Sequence, residues 1–404
     1  MKAYHPRMPN TADLLEQSAK LLVPNYARRP IVMDRGEGVF LWDTDGKRYL
    51  DLFAGFGAGI LGHCHPALVK AAQEQAARLW HVGNSFTTEP QLRFAQHLYD
   101  KAFPGKAFFC HGGMDANESA VKLARLRGST MSPARYKTIT FNMSFHGRSL
   151  AMIAAGWTPA HREGFGPLPP GFVHVTGGDF EDLVKHVDDE TCAIMFEPIR
   201  GEGGMHGYPP DFARRVRQFC DERQITLIFD EVWTGGGRTG KWFGHQYFDD
   251  GSGGVVTPDI MTLGKAIGGG LPVGAMWARP EIADLLVPGK HGSTLGGNGI
   301  GMAVASAIFR TIEQEGLLEH ARNLGNQAKR RLAEALPECK VRGDGLFLGL
   351  ELPEAPKDLV GAGLERGVVI NVTQQTVVRL APAMIITAEQ WDEGLDILIS
   401  LVRG

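Results

Sequence analysis

Between residues 106 and 264 short apolar runs, rich in β-branched and aromatic residues, alternate with turns and with stretches of helical spacing. The runs are KAFFC (106–110), YKTITF (136–141), FVHV (172–175), CAIMFEP (192–198), ITLIFDEV (225–232) and VVTPDIMTLG (255–264). Runs of this kind predict strands buried on both faces of a mostly parallel sheet. After KAFFC a glycine turn leads into MDANESAVKLARLR (114–127), whose spacing predicts an amphipathic helix. The fold class expected is α/β, and in that architecture ligands gather beyond the carboxyl ends of the strands.

The two ends of the chain are patterned differently. Residues 11–22 predict a short helix with Thr11 as its N-cap, and VFLWDTDGKRYLDLF alternates about Asp45-Gly46, a hairpin signal. Helical stretches follow at 66–79 and 90–101. The last hundred residues predict helices at 298–315 and 317–336, then the strands KVRGDG, LFLGLEL, VVINV and VVRLAP, and a final helix near 388–402. This is the pattern of a separate, smaller α+β domain.

Composition narrows the class of protein. The 404 residues carry a net charge of −3, with 43% hydrophobic and 22% charged residues, and no basic tract suited to nucleic acid or an anionic membrane. Five scattered cysteines (Cys64, Cys110, Cys192, Cys220, Cys339) and the absence of an 18-residue apolar run or an apolar N-terminal core lead us to expect a soluble, cytoplasmic protein with reduced thiols. The 52 glycines cluster at turns between apolar segments, as tight strand–loop–helix connections require.

The candidate chemistry lies where strands are expected to end. Asp230 closes ITLIFDEV and Lys265 follows the next apolar stretch, and a charged group at the end of a buried strand needs a partner. A simple ion pair satisfies both. So does pyridoxal 5′-phosphate, whose ring nitrogen stays protonated beside a carboxylate and whose aldehyde condenses with a lysine amine. The turn in FFCHGGMDANESA offers helix N-terminal amides to a phosphate, and HGSTLGGN (291–298), with Ser293 and Thr294, is a second phosphate candidate. SFHGR (144–148) supplies an aromatic ring and Arg148, and EPIRGEGG (197–204) supplies Glu197 and Glu202. The dinucleotide-binding glycine fingerprint is missing. GHCHP (62–66) reads as a helix-entry turn, because adjacent residues rarely share one coordination sphere, and no metal is expected.

In this order the motifs resemble the class III, fold-type I pyridoxal-phosphate aminotransferases, and among them the acetylornithine aminotransferases. The likeness runs from DRGEGVFLWDTDGKRYLD through LGHCHP and FHGR to NVTQQTVVRLAP. It implies a large cofactor-binding domain over 61–299 built on a mostly parallel, seven-stranded type of sheet, and a small α+β domain drawing on both chain ends, 1–60 and 300–404. It implies Lys265 as the residue that carries the cofactor aldehyde and shuttles the proton, and Asp230 as partner of the ring nitrogen. Val232 and Phe145 would face the two sides of the ring, and Gly113 and Met114 would hold the phosphate together with Thr294 from the partner subunit of a homodimer. Glu231 and Trp233, in the same DEVW segment, are expected at the cofactor. Arg148, Glu202, Ser293 and Arg379 are expected at the substrate, with Glu202 pairing Arg379 whenever no carboxylate occupies it. The implied reaction moves the ω-amino group of N2-acetylornithine to 2-oxoglutarate in arginine biosynthesis. Succinylornithine, ornithine, 4-aminobutyrate or another ω-amino acid is the alternative donor. A non-catalytic relative would be expected to have lost Lys265 or Asp230, and both are intact.

Three segments depart from the family pattern. His111-Gly112-Gly113-Met114-Asp115 replaces Asn-Ser-Gly-Thr-Glu and removes two hydroxyls, an expected loss of about 1–2 kcal/mol in cofactor retention. Trp233 stands where a glutamine is usual; its indole N–H is still a donor, and the larger ring is expected to narrow the site. Gly59-Ile60 replaces Asn-Ser in a segment expected to line the substrate entrance.

Overall fold

The computed structural model describes residues 10–404. Its centre is a seven-stranded sheet in the spatial order Lys106–Cys110, Gly274–Ala278, Ile260–Leu263, Thr226–Asp230, Thr191–Phe196, Lys137–Phe141, Phe172–Val175. The last five strands in that order run parallel, and Gly274–Ala278 is antiparallel to both of its neighbours. Every residue of Thr191–Phe196, Thr226–Asp230 and Ile260–Leu263 is buried, as expected of strands covered on both faces. The helix Gly113–Ser129 lies across the sheet and buries Ala116, Ala120, Leu123 and Ala124 against it.

Gly274–Ala278 (GAMWA) escapes a reading based on apolar runs, because glycine and alanine give it no β-branched signature. Burial between two strands makes it one.

Both chain ends build the rest of the molecule. Met33–Glu37, Phe40–Asp43 and Arg48–Asp51 form an antiparallel meander, and Val368–Val369 from the far end adds to it in parallel. The hairpin turns at Asp45-Gly46, where Asp43 Oδ1 accepts the N–H groups of Asp45 (3.0 Å) and Lys47 (2.8 Å). A second sheet is ordered Lys340–Asp344, Phe347–Glu351, Val377–Leu380, Asn371–Thr373. Arg238 ties these parts together: its buried guanidinium donates to the carbonyls of Gly57, Leu346 and Pro382, and burial pulls its pKa down to about 9.

Two details correct the expectations. The first helix, Thr11–Leu21, is capped by Asn10, whose Oδ1 accepts the Asp13 N–H at 2.9 Å; the Thr11 hydroxyl instead donates to Asp45 at the hairpin turn (2.6 Å). Ile60 does not line an entrance, because its side chain is fully buried in the core and its carbonyl accepts the Met384 N–H. In GHCHP, His63 pairs with Asp51 at 2.9 Å, and His65 accepts the Ala67 N–H at the start of the helix Pro66–Ala76. Among the described residues no helix is long and apolar enough to cross a membrane.

Candidate active site

The carboxyl ends of five strands converge on one cavity of about 240 Å³, lined by Gly113, Met114, Phe145, Arg148, Glu197, Asp230, Val232, Trp233 and Lys265, with Asn117 and His146 behind them. Each strand runs directly into a loop that supplies one part of the wall. The loops interlock through small residues. A side-chain carbon on Gly113 would sit 2.4 Å from Val232, and one on Gly264 would sit 2.8 Å from the Gly113 nitrogen.

Asp230, 3% exposed, is surrounded by hydrogen-bond donors inside the sheet, as a buried carboxyl requires. Its Oδ2 accepts from Asn117 Nδ2 (2.7 Å) and pairs with His146 Nδ1 (2.8 Å), while Oδ1 accepts the Val232 N–H (3.0 Å). Oδ1 has a lone pair left for a donor inside the cavity. Asn117 is held in turn by Thr262, whose hydroxyl donates to its Oδ1 at 2.5 Å, and it also donates to the His146 carbonyl. Neither Asn117 nor His146 is evident in the sequence as a site residue; Asn117 stands four positions beyond Gly113, so one helical turn sets it behind the phosphate turn.

Lys265 reaches the cavity from a turn that places its own backbone at φ +41°, a strained setting for a residue with a side chain. Its Nζ lies 4.1 Å from the centroid of the Trp233 ring. Burial pushes its pKa below the ordinary lysine value, against the opposing charges of Asp230 and Glu197, and this favours the neutral amine that acts as a nucleophile. Glu197 is buried beside Asp230, and burial together with that neighbouring carboxylate raises its pKa to about 7. Its two oxygens accept the N–H groups of Phe145 (3.0 Å) and Gly201 (3.1 Å), so one side chain braces two walls.

Arg379 is almost wholly buried and pairs with Glu202 across 2.9 Å, while its Nε donates to Asn371. Burial lowers its pKa and Glu202 opposes the shift. Arg148 is exposed at the rim, 5.4 Å from the Phe145 ring centroid. The cavity therefore has a nucleophilic amine at its head, a guanidinium at its rim and a second guanidinium, already paired, beside it.

Glu231 and Ser293 lie outside this cavity, as does Thr294, which is expected in the site of the partner subunit. The carboxylate of Glu231 turns away from the cavity, where it accepts the N–H groups of Gly244 (2.8 Å) and His245 (2.7 Å), pairs with His245 Nδ1 and takes the Thr234 hydroxyl. Successive side chains of an extended segment point to opposite sides, so Asp230 and Glu231 cannot both face it. Ser293 and Thr294 line a separate cavity with His111, Asp115 and Ser119, and the structure does not bring them to Lys265 of the same chain. Trp233 is at the site, but its Nε1 is turned toward Gly57 and has no hydrogen-bond partner, so it is not a donor into the cavity.

These residues fit pyridoxal 5′-phosphate. Gly112 caps the Gly113–Ser129 helix without a side-chain hydrogen bond, which leaves first-turn N–H groups free for a phosphate, and Asp230 and Lys265 face the same space. A mostly parallel sheet with such a site at its carboxyl edge defines a fold-type I, pyridoxal-phosphate-dependent enzyme. Comparison with known proteins makes this specific: the Aminotransferase class-III family matches residues 23–402, and the chain belongs to that family. It is 42% identical to the acetylornithine aminotransferase of Caldanaerobacter subterraneus subsp. tengcongensis over 95% of this chain and 98% of that one. It is 41% identical to the acetylornithine aminotransferase of Pseudomonas putida, over 93% and 94%. Among solved structures, an ornithine aminotransferase from Toxoplasma gondii, with PLP at partial occupancy in its active site, superposes with a TM-score of 0.91 at 30% identity, covering 98% of this chain and 95% of that one. The acetylornithine aminotransferase of Elizabethkingia anophelis gives 0.85 at 31% identity, over 98% and 99%.

Proposed function

We propose that this aminotransferase transfers the ω-amino group of N2-acetylornithine to 2-oxoglutarate, in arginine biosynthesis in the cytoplasm, as a homodimer. The observation that carries the reading is the Arg379–Glu202 pair near Lys265, together with Arg148 at the cavity rim. A site serving both partners must hold glutamate, which has a carboxylate next to its reacting amine, and an ω-amine, which has none there. Glu202 neutralises Arg379 for the ω-amine and yields to the glutamate carboxylate, so the buried cation is never left unpaired. Arg148 is suited to the carboxylate remote from the amine.

Bound pyridoxal 5′-phosphate supplies the aldehyde and the electron sink. The chain supplies the rest: Asp230 holds a proton on the ring nitrogen, Lys265 provides the amine and moves the proton at the substrate carbon, Val232 and Phe145 fix the plane, and Gly113 and Met114 offer backbone amides to the phosphate. The dimer is supported by an exposed apolar face containing Trp80 (67% exposed), Phe86 (67%), Leu92 (61%) and Leu295 (52%), next to the loop carrying Ser293 and Thr294. On this reading Thr294 completes the phosphate site of the partner.

Turnover of N2-acetylornithine, succinylornithine, ornithine and 4-aminobutyrate against 2-oxoglutarate tests the proposal. N2-acetylornithine should give the highest kcat/KM, and Lys265→Ala should abolish both turnover and the visible absorbance of the bound cofactor. A higher kcat/KM for another amine would overturn the donor assignment. Glu202→Gln should shift preference toward glutamate by roughly tenfold, the range expected when one charge partner is removed; an unchanged preference rules out the gate.

A further inference from the structure

The segment that supplies Phe145 and Arg148 to the cavity comes back to it. After the helix Leu150–Ala155, the short turn Pro159–His161 sets the His161 ring edge-on to Phe145, with 6.0 Å between ring centroids and 86° between planes. The Arg148 guanidinium lies 5.4 Å from the centroid of the same phenyl ring, so both groups stand around one wall of the cavity. The turn is pinned in place. The His161 N–H donates to the Thr158 carbonyl (3.1 Å), and Arg162 donates to the carbonyls of Gly156 and Trp157, the second at 2.9 Å. The half-buried His161 imidazole itself takes part in no hydrogen bond among the described residues. Burial first, and the Arg148 cation second, hold its pKa below the ordinary histidine value against the opposing charge of Glu202, so the ring is neutral at neutral pH. A neutral imidazole presents one N–H donor and one bare nitrogen acceptor.

We infer that His161 is a specificity-determining residue that recognises an acylamino group on the carbon next to the carboxylate held by Arg148. The inference rests on the ω-aminotransferase reading and deepens it by naming what reads the acyl part of the donor. In N2-acetylornithine the carboxylate remote from the reacting amine and the acetamido group share one carbon. The guanidinium that takes the first therefore sets the second within a few bonds, at the wall that His161 shares. An amide has one N–H and one carbonyl, and the neutral imidazole can meet either. The unacylated amine of ornithine is an ammonium at that position; it meets the like charge of Arg148, and a neutral ring offers nothing to offset it. Glutamate carries only hydrogens on the carbon next to its remote carboxylate, so the second substrate makes no demand on His161.

Two measurements on the cofactor-loaded enzyme test this. The first is calorimetric binding of two unreactive acids, 2-acetamidopentanoate and pentanoate, which have the same chain and carboxylate and differ by the acetamido group. Wild type should bind the acetamido acid roughly tenfold more tightly, the order expected for a well-placed hydrogen bond. His161→Phe keeps a ring against Phe145 and loses both nitrogens, and it should bring the two within about threefold. His161→Gln, which restores a donor and an acceptor, should recover most of the discrimination. The second is kcat/KM for N2-acetylornithine and 5-aminopentanoate, which again differ only by the acetamido group. Their ratio should fall in His161→Phe by the same factor, with the change in KM. Equal binding of the two acids by wild type, or undiminished discrimination in His161→Phe, would overturn the inference. So would an equal weakening of both acids in His161→Phe, which would place the imidazole on the carboxylate instead. Failure of wild type to turn over either amine would overturn the proposed function, and the binding of the two acids would still decide the role of His161.

Discussion

Within the sheet Asp230 is surrounded by Asn117, His146 and the Val232 amide, and Asn117 is the hub of that arrangement. Asn117 also takes the Thr262 hydroxyl and donates to the His146 carbonyl, so three strand ends depend on one amide. Asn117→Ala should lower stability by about 2 kcal/mol, the order expected for stranding buried polar groups, and should weaken cofactor binding; urea unfolding and cofactor titration check the two effects. Glu197 gives a prediction in pH. Its carboxyl has an ordinary pKa of 4.5 and is raised to about 7 in the fold, by burial first and Asp230 second. Between those values the folded state holds a proton that the unfolded chain has released, so this group's contribution to stability falls as pH rises from about 4.5 to about 7. Urea midpoints of the cofactor-free protein should therefore decline over that range relative to those of Glu197→Gln, which cannot ionise; parallel curves would rule the shift out. Asp230 and Lys265 were legible in the sequence because charges that end apolar runs stand out. Asn117 and His146 were not, since an amide and an imidazole inside ordinary helix and loop segments leave no pattern of their own.

At the scale of elements, the site exists because three strand-end loops touch with nothing between them. Gly113, Val232 and Gly264 come from the loops that follow Lys106–Cys110, Thr226–Asp230 and Ile260–Leu263, and each glycine occupies a space that a methyl group would fill. Gly264→Ala should push the Lys265 turn off the Gly113 amide. The expected result is a loss of about 1–3 kcal/mol in stability, the range for overpacking, together with a larger fall in cofactor affinity than Gly112→Ala gives. Gly112 is the control, because a side-chain carbon there meets nothing within 4 Å. Equilibrium titration of the two apo-variants with cofactor compares them. The buried strands could be read from composition, since a strand covered on both faces must be apolar throughout. The direction of Gly274–Ala278 and the outward turn of the Glu231 carboxylate could not, because both are set by packing partners distant in sequence.

The whole molecule raises the question of where Thr294 acts. Within one chain its loop packs against the strand Lys106–Cys110, where a side-chain carbon on Gly296 would meet the Phe109 carbonyl at 2.3 Å, and Thr294 faces His111 and Asp115 rather than Lys265. The loop borders an open groove of about 790 Å³ between the helix Glu89–Lys101 and that edge strand, walled by Leu92, Tyr99 and Phe108. A second copy seated on this face by two-fold symmetry would carry each Thr294 toward the other chain's phosphate turn. Mixing two inactive or impaired variants tests this without a structure of the pair. Lys265→Ala destroys the site of its own chain, whereas Thr294→Val damages whichever site Thr294 serves. If Thr294 serves the partner, a mixed dimer has one site carrying both lesions and one site carrying neither, so activity should rise toward half that of wild type per dimer. If Thr294 serves its own chain, the mixed dimer has one dead and one impaired site, and mixing gains nothing. Recovery should also require exchange of subunits, so it should appear slowly on mixing, or at once on co-expression, and should fail when Trp80→Glu places a charge in the apolar face.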